Sequence, residues 1–387
     1  MTKIFTLIIS TLGLATAACG DNYGAAADAP PVDAPSGPPR AVVVAGDFGP
    51  GNPGVLSTLD PATLTVMNNV GPAMAVGDDP ILRHFGGELL VVNRNDGNNI
   101  TILDDQTLAL KEQLGTGAGS NPQDVAVRGQ NLYVATFGGQ GLVMLTRGRA
   151  TVTTIDLSQD DPDGKPNCNS VYLVGSDLYV SCGLLDDTNM FVPRGPGKVY
   201  VVDTATNAIK TTLTLSTKNP FGVFEQIPAT ARPEENPGDL LMPTVLFADG
   251  SGCVERIATS GGPPAAAGCM PMMMNTTDLK GYASRIGFLI DLVEAAQITW
   301  IATPTTFPKS DLRAYDMPTS ALWAGPLNPS TEAIGDLAVC PGGEIVVSDT
   351  TMNASGLRVY NSEAAETTKS ALAITKPPLS THGIVCY

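Results

Sequence analysis

The chain has 387 residues, a formal charge of −16, only 16% charged residues, 41 Gly and 31 Pro. A chain this acidic, with no basic cluster, is repelled by phosphate backbones, which argues against nucleic acid as a partner. The abundance of Gly and Pro, with many Thr, Val and Asn residues, suits short strands joined by tight turns.

Residues 1–18 read as a signal peptide. Lys3 is the only charge before an apolar run over residues 4–14. That run is too short to span a bilayer as a helix, which needs about 20 residues, and it fits the apolar region of a secretory signal. It leads into Ala15, Thr16, Ala17, Ala18 and Cys19, small side chains ahead of a nucleophilic thiol. The segment resembles the lipobox of bacterial lipoproteins, with Thr16 where that family usually has Leu. The resemblance implies cleavage before Cys19, a palmitate-bearing lipid on Cys19 and anchorage to a membrane. Gly20, rather than Asp, follows the cysteine, which by the same resemblance favours the outer membrane. Ordinary secretory cleavage near Ala17 or Ala18 is the alternative. Residues 19–40 then carry Pro30, Pro31, Pro35, Pro38 and Pro39 and almost no apolar bulk. Such sequence cannot bury enough surface to order itself and acts as a semi-rigid spacer.

Residues 41–387 form one domain dominated by a repeat. Apolar strands are expected at 42–45 and 89–92, then at 100–103 ending in Asp104, near 108–114, and at 124–127 after a Gly/Asn/Pro turn. The order returns as LYVATFGG from Leu132, then NSVYLV. It returns again as LYVSC from Leu178, with KVYVVDTATNAIKTTLTL and NPFGVF, and as EIVVSD, LRVYNS and HGIVCY near the carboxyl end. Starts at Val42, Leu89, Leu132 and Leu178 lie 47, 43 and 46 residues apart, Thr299 and Ile345 another 46, and the 121-residue gap between Leu178 and Thr299 holds two units with insertions. A period of 40–50 residues with four short strands is the signature of a propeller blade. These segments resemble the YVTN and NHL-like β-propeller repeats, most closely in KVYVVDTATNAIKTTLTL followed by NPFGV and most poorly between residues 225 and 288. The expectation is an all-β, seven-bladed propeller with four-stranded blades, its ring closed by the carboxyl-terminal strand joining the first blade.

Beyond Cys19 there are six cysteines, an even number that implies disulfides in an exported chain. Counting alone allows 15 pairings; the propeller register favours Cys168–Cys182, Cys253–Cys269 and Cys340–Cys386.

In a propeller the residues leading into the innermost strands surround one mouth of the central channel. Here they include Asp79, Asn121, Gln123, Asp124, Asn167, Asn169, Asn219, Ser284, Arg285, Asp336 and His382. Such side chains suit a hard cation such as calcium or the hydroxyls of a sugar; Asn and Asp at these positions also serve simply as turn caps. His84 and His382 suggest a two-histidine metal site or a general base, though no catalytic motif accompanies them. The acidic turn at 160–164 has the alternating acids of a calcium loop, interrupted by Pro162. The run at 270–274 (MPMMM) offers thioethers for copper(I), or an apolar loop. NRNDGN at 93–98 is a turn between strands, and inserts at 183–197 and 226–238 project from the ring. The functional expectation is a lipid-anchored envelope module binding a protein, peptide or glycan. The alternative is a lactonase-like hydrolase or quinoprotein-like enzyme, calcium-dependent if the acids hold a metal.

Overall fold

The computed structural model describes residues 40–46, 52–95, 97–229, 231, 235–246, 251–270, 285–290, 297–306, 309–316, 321–322, 327, 333–363 and 365–387. The expected signal peptide, Cys19, the expected tether up to residue 39, Ser284 and residues 271–274 lie outside them.

The architecture is an all-β propeller. From the axis outward, the first blade is Ile384–Cys386, Ala41–Ala45, Val55–Asp60 and Thr65–Val70. The second is Pro80–Phe85, Glu88–Asn93, Asn99–Asp104 and Leu110–Gly115; the third is Pro122–Arg128, Asn131–Thr136, Gly141–Thr146 and Val152–Asp156. The fourth is Cys168–Val174, Asp177–Cys182, Lys198–Asp203 and Ala208–Thr214. The fifth is Glu225–Gln226, Leu240–Leu246, Ser251–Ala258 and Ala265–Cys269, and the sixth is Arg285–Ile290, Gln297–Thr306, Lys309–Asp316 and Ala321–Leu322.

The expectation of seven four-stranded blades is corrected. The described residues form six four-stranded blades, and Ile334–Val339, Ile345–Asp349 and Gly356–Tyr360 make a sheet of three strands only. After Tyr360 the chain meets the third strand only at isolated bridges, Leu357 to Leu372 and Tyr360 to Glu366, where an outer strand would run, and then bridges Gly46 of the first blade at Pro378.

Burial follows position. The second strands are sandwiched between neighbouring sheets and are apolar over most of their length; Ala41–Ala45 is buried at every residue. Outermost strands such as Thr65–Val70 and Val152–Asp156 are mostly exposed. The core therefore lies between blades: Leu90, Val92 and Ile102 pack on Val125, Val134 and Leu145, and Tyr133 and Leu142 pack on Val180 and Tyr200. Each such aliphatic side chain contributes about 1.5–3 kcal/mol on burial. Tyr133 adds a latch, its hydroxyl donating to the Thr204 carbonyl and to Asn207 Oδ1 of the next blade.

The repeated Asp has a local cause. Asp60, Asp104, Asp156 and Asp203 end third strands or, in Asp156, an outer one, and each carboxylate accepts backbone N–H bonds from residues two or three further on. These Asx turns reverse the chain.

The carboxyl-terminal strand pairs antiparallel with Ala41–Ala45. Cys340–Cys386 joins the three-stranded sheet to that strand, Cys168–Cys182 bridges a hairpin of the fourth blade, and Cys253–Cys269 bridges two strands of the fifth. A clasp completes the closure on the face opposite the mouth. Arg40 and Tyr387 exchange backbone hydrogen bonds, the Tyr387 ring stacks on His84 at 4.1 Å, and its hydroxyl donates to the Asp105 carbonyl. No helix among the described residues is long and apolar enough to cross a membrane.

Candidate functional site

The innermost strands start at the mouth, and all but Ile384–Cys386 carry a polar side chain near the axis; with the backbone of His382 and Ile384 these groups form a circuit of hydrogen bonds and ion pairs. Arg83 Nε donates to Asp124 Oδ1 at 2.7 Å, and Asp124 Oδ2 accepts from Ser170 Oγ at 2.7 Å. Ser170 Oγ accepts the Phe224 N–H, placing the adjacent Glu225, which pairs with Arg285. Arg285 Nε lies 3.3 Å from Asp336 Oδ1, and Asp336 Oδ2 accepts the Ile384 N–H at 2.9 Å. The His382 carbonyl accepts the Leu82 N–H at 2.8 Å, returning the circuit to Arg83.

Burial sets the electrostatics here. Desolvation pushes the Asp336 carboxyl up to about 7, only partly opposed by Arg285 and Arg83. Desolvation likewise raises Glu225 against the pull of Arg285. Burial, reinforced by Arg285, Arg83 and Arg94, holds His382 well below the usual histidine range, so the ring is neutral. Arg83 Nη2, Asp336 Oδ1 and His382 Nδ1 are buried without hydrogen-bond partners.

A second group sits above the second and third blades. Arg94 pairs with Asp79 and reaches Gln123 Oε1; Asn95 donates to Asp79 Oδ2 and, through its backbone, to Asn121 Oδ1. A third surrounds the 183–197 insert, which forms a two-stranded ribbon of Leu185–Asp186 and Val192–Pro193. Asn167 holds its base, accepting the Leu185 N–H and donating to Asp187. Arg194 binds Asp161, Asp163 and Asp186 at 2.6, 2.9 and 3.0 Å. The acids of the 160–164 turn thus answer an arginine, and Asp160 accepts the Tyr200 hydroxyl. At the ribbon tip Met190 is 91%, Phe191 48% and Val192 50% exposed. Met190 and Phe191 also hold positive φ angles of 52° and 57°, a conformation costing roughly 1–2 kcal/mol per residue for a side chain with Cβ. Phe191 leans on Phe137, 5.6 Å between centroids.

Of the residues singled out by sequence, Asp124, Arg285, Asp336 and His382 meet at the axis, and Asp79, Asn121 and Gln123 meet above it. Asn121, Asn167 and Asn219 adopt positive φ, which Asn tolerates better than most residues, so part of their recurrence is turn chemistry. Asn169 spends its amide on the Gly222 carbonyl. The histidines have separate surroundings, His84 bonding Asp105 and stacking on Tyr387 far along the strand from the mouth. Met270 packs partly buried against the fifth and sixth blades. Among the described residues, one group of metal-type ligands converges, Cys253, Glu255 and Cys269, and its two thiols are joined as a disulfide.

Sequence reading missed Arg83, Arg94, Ser170 and Glu225; it marked the 183–197 insert as projecting from the ring but not the residues of its tip. Bulges at the start of the third and fourth inner strands insert a residue before Asp124 and Ser170, as one does before Asp336. The second blade has no such shift, so matching turns blade to blade does not reach Arg83.

No protein-family model matches the sequence, and no curated protein matches it. Solved structures do. A putative 6-phosphogluconolactonase from Bacteroides fragilis NCTC 9343 is similar with a TM-score of 0.61 at 12% identity, covering 92% of this chain and 99% of its own. One from Bacteroides uniformis ATCC 8492 has a TM-score of 0.60 at 11% identity, covering 91% and 100%. A quinoprotein alcohol dehydrogenase-like protein from Bacteroides thetaiotaomicron VPI-5482 has a TM-score of 0.54 at 14% identity, covering 85% and 74%. At such identities the likeness establishes the fold, a β-propeller, and nothing finer.

Proposed function

We propose that this is an envelope lipoprotein, anchored through lipid on Cys19, whose propeller binds a protein or peptide partner at the channel mouth. The observation that carries the reading is the ribbon tip. Three consecutive apolar side chains are held in water, two of them in strained backbone, on a base fixed by Arg194 and Asn167. Strain retained on a rigid, exposed apolar tip marks an interaction site more often than a packing accident. Polar groups of the mouth beside it would supply the hydrogen-bonding rim.

Topology supports the orientation. Arg40 bonds Tyr387 at the end of the ring opposite the mouth. A lipid on Cys19 therefore turns that face to the membrane and the mouth away from it, on a spacer of up to about 60 Å if extended as polyproline. Two measurements test the reading. Labelled palmitate enters the protein and fails to enter Cys19→Ser. A photo-crosslinker at position 191 captures a partner in intact envelopes, whereas one at Leu110, 54% exposed on an outer strand, does not. Equal capture at both positions contradicts it.

The hydrolase alternative has one feature behind it besides the fold: Asp336 titrates near neutrality beside two arginines. Ester or lactone turnover by the native protein that Asp336→Asn abolishes would establish it.

A further inference from the structure

The circuit around the axis satisfies almost every polar atom it contains, and the three exceptions fall on three successive elements of the ring. Arg83 Nη2, His382 Nδ1 and Asp336 Oδ1 are buried without a hydrogen bond, Asp336 Oδ1 keeping only its ion pair to Arg285 at 3.3 Å. Their neighbours stitch them together: the His382 carbonyl holds the Leu82 N–H at 2.8 Å, and Asp336 Oδ2 holds the Ile384 N–H at 2.9 Å. Leaving a buried polar atom unmet costs roughly 1–3 kcal/mol, and three at one place are better understood as a binding surface than as independent defects.

We propose that Arg83, His382 and Asp336 form a carboxylate-binding site at the axis just below the mouth, which takes up its ligand together with one proton. The carboxylate is either that of a small monocarboxylic acid or the C-terminal group of a peptide.

The donor set selects the ligand. Arg83 commits Nε to Asp124 and Nη1 to the Leu82 carbonyl, which leaves the Nη2 protons. Guanidinium donates only, and it matches planar two-oxygen anions. The neutral His382 ring supplies a second donor when its proton sits on Nδ1. One ligand oxygen accepts from both, and the other shares a proton with Asp336 Oδ1, the arrangement that lets two carboxyl groups occupy one site.

Charge favours an anion over a neutral hydroxyl or a cation. The charged neighbours that act on His382 are Arg285, Arg83 and Arg94, all cationic, and those that act on Asp336 are Arg285 and Arg83. The other carboxylates at the axis, Asp124 and Glu225, are already paired with Arg83 and Arg285.

Protonation follows directly. With Asp336 ionised, two adjacent negative charges oppose binding; with it protonated, the site has one. Because burial sets this carboxyl at about 7, affinity falls about tenfold between pH 6 and pH 8. The proposal does not rest on the partner reading, since the ribbon tip is untouched by changes at the axis.

Calorimetric titration of the full chain with acetate, propionate, and tri-alanine as free acid and as C-terminal amide tests it. The expected result is millimolar binding at pH 6, about tenfold weaker at pH 8, where binding takes up about one proton. Asp336→Asn should bind with no pH dependence between these values. Arg83→Gln should lose at least tenfold, and Arg83→Lys, which can keep the ion pair to Asp124, should lose it too. Tighter binding of the simple acids assigns the site to small molecules. Tighter binding of tri-alanine acid, with no binding of its amide, assigns it to peptide termini. Failure of every carboxylate to bind at pH 6, preferential binding of inorganic phosphate, or native affinity in a folded Arg83→Lys would overturn the proposal.

Discussion

The two faces of the ring are built to different ends. On the face opposite the mouth, hairpins such as those at Gly86–Gly87, Gly129 and Gly175 turn tightly at positive φ, and Arg40, His84, Asp105 and Tyr387 clamp the chain ends together. The mouth face instead carries the ribbon insert, the Asp79–Arg94 group, exposed Met74 and Met352, and unmet polar atoms just beneath. One face is optimised for closure and the other holds exposed, strained and unsatisfied groups. Closure and the proposed binding groups are thereby separated in space, as expected where loops on a rigid scaffold carry binding residues.

That separation can be broken from either side. The largest effect is expected at closure: replacing Cys340 and Cys386 by Ser opens a crosslink spanning 46 residues, worth about 4 kcal/mol by chain entropy, against about 3 kcal/mol for the 14-residue Cys168–Cys182 bridge. Denaturant unfolding should rank them in that order; the reverse ranking would deny the carboxyl-terminal bond its closing role. Next, Tyr387→Ala removes a buried ring and its hydrogen bond and should cost about 3 kcal/mol, without altering anything bound at the mouth.

At the axis the effect depends on pH. Asp336 holds its proton far more tightly when folded, about 7 against 3.8 unfolded, so its contribution to stability declines as pH rises between those values. Asp336→Asn has no such titration, and its melting temperature relative to the native protein should be higher at pH 8 than at pH 5. A constant difference would mean that the carboxyl is not desolvated. The smallest effect on folding is expected at the tip: Phe191→Gly accepts the positive φ without strain and should leave stability unchanged or raise it by up to about 1 kcal/mol, while partner capture at the mouth is lost.

Legibility in the sequence followed the same division. Strands, blade period and closure were readable because sandwiched strands such as Ala41–Ala45 must be apolar over most of their length and because the turn after Asp104 or Asp203 needs a carboxylate to cap it. The three-stranded sheet was not, since the segment after Tyr360 keeps the apolar spacing of a repeat yet meets the third strand only at isolated bridges, Tyr360 to Glu366 and Leu357 to Leu372. The site was half visible. Asp124, Asp336 and His382 follow turn signals, but Arg83 lies on an inner strand without the bulge that precedes Asp124, Ser170 and Asp336, an offset that spacing does not record, and Phe191 shows its significance through exposure and φ, not residue type.

The most direct test of the division between faces is hydrogen exchange on the lipidated protein in native envelopes, compared with the unlipidated chain in solution. Protection gained at 183–197, around Asn95 and around Phe137, with the turns near Gly86, Gly129 and Gly175 unchanged, is the predicted result. Protection confined to those turns and the Arg40–Tyr387 clasp would place the partner on the wrong face and contradict the account.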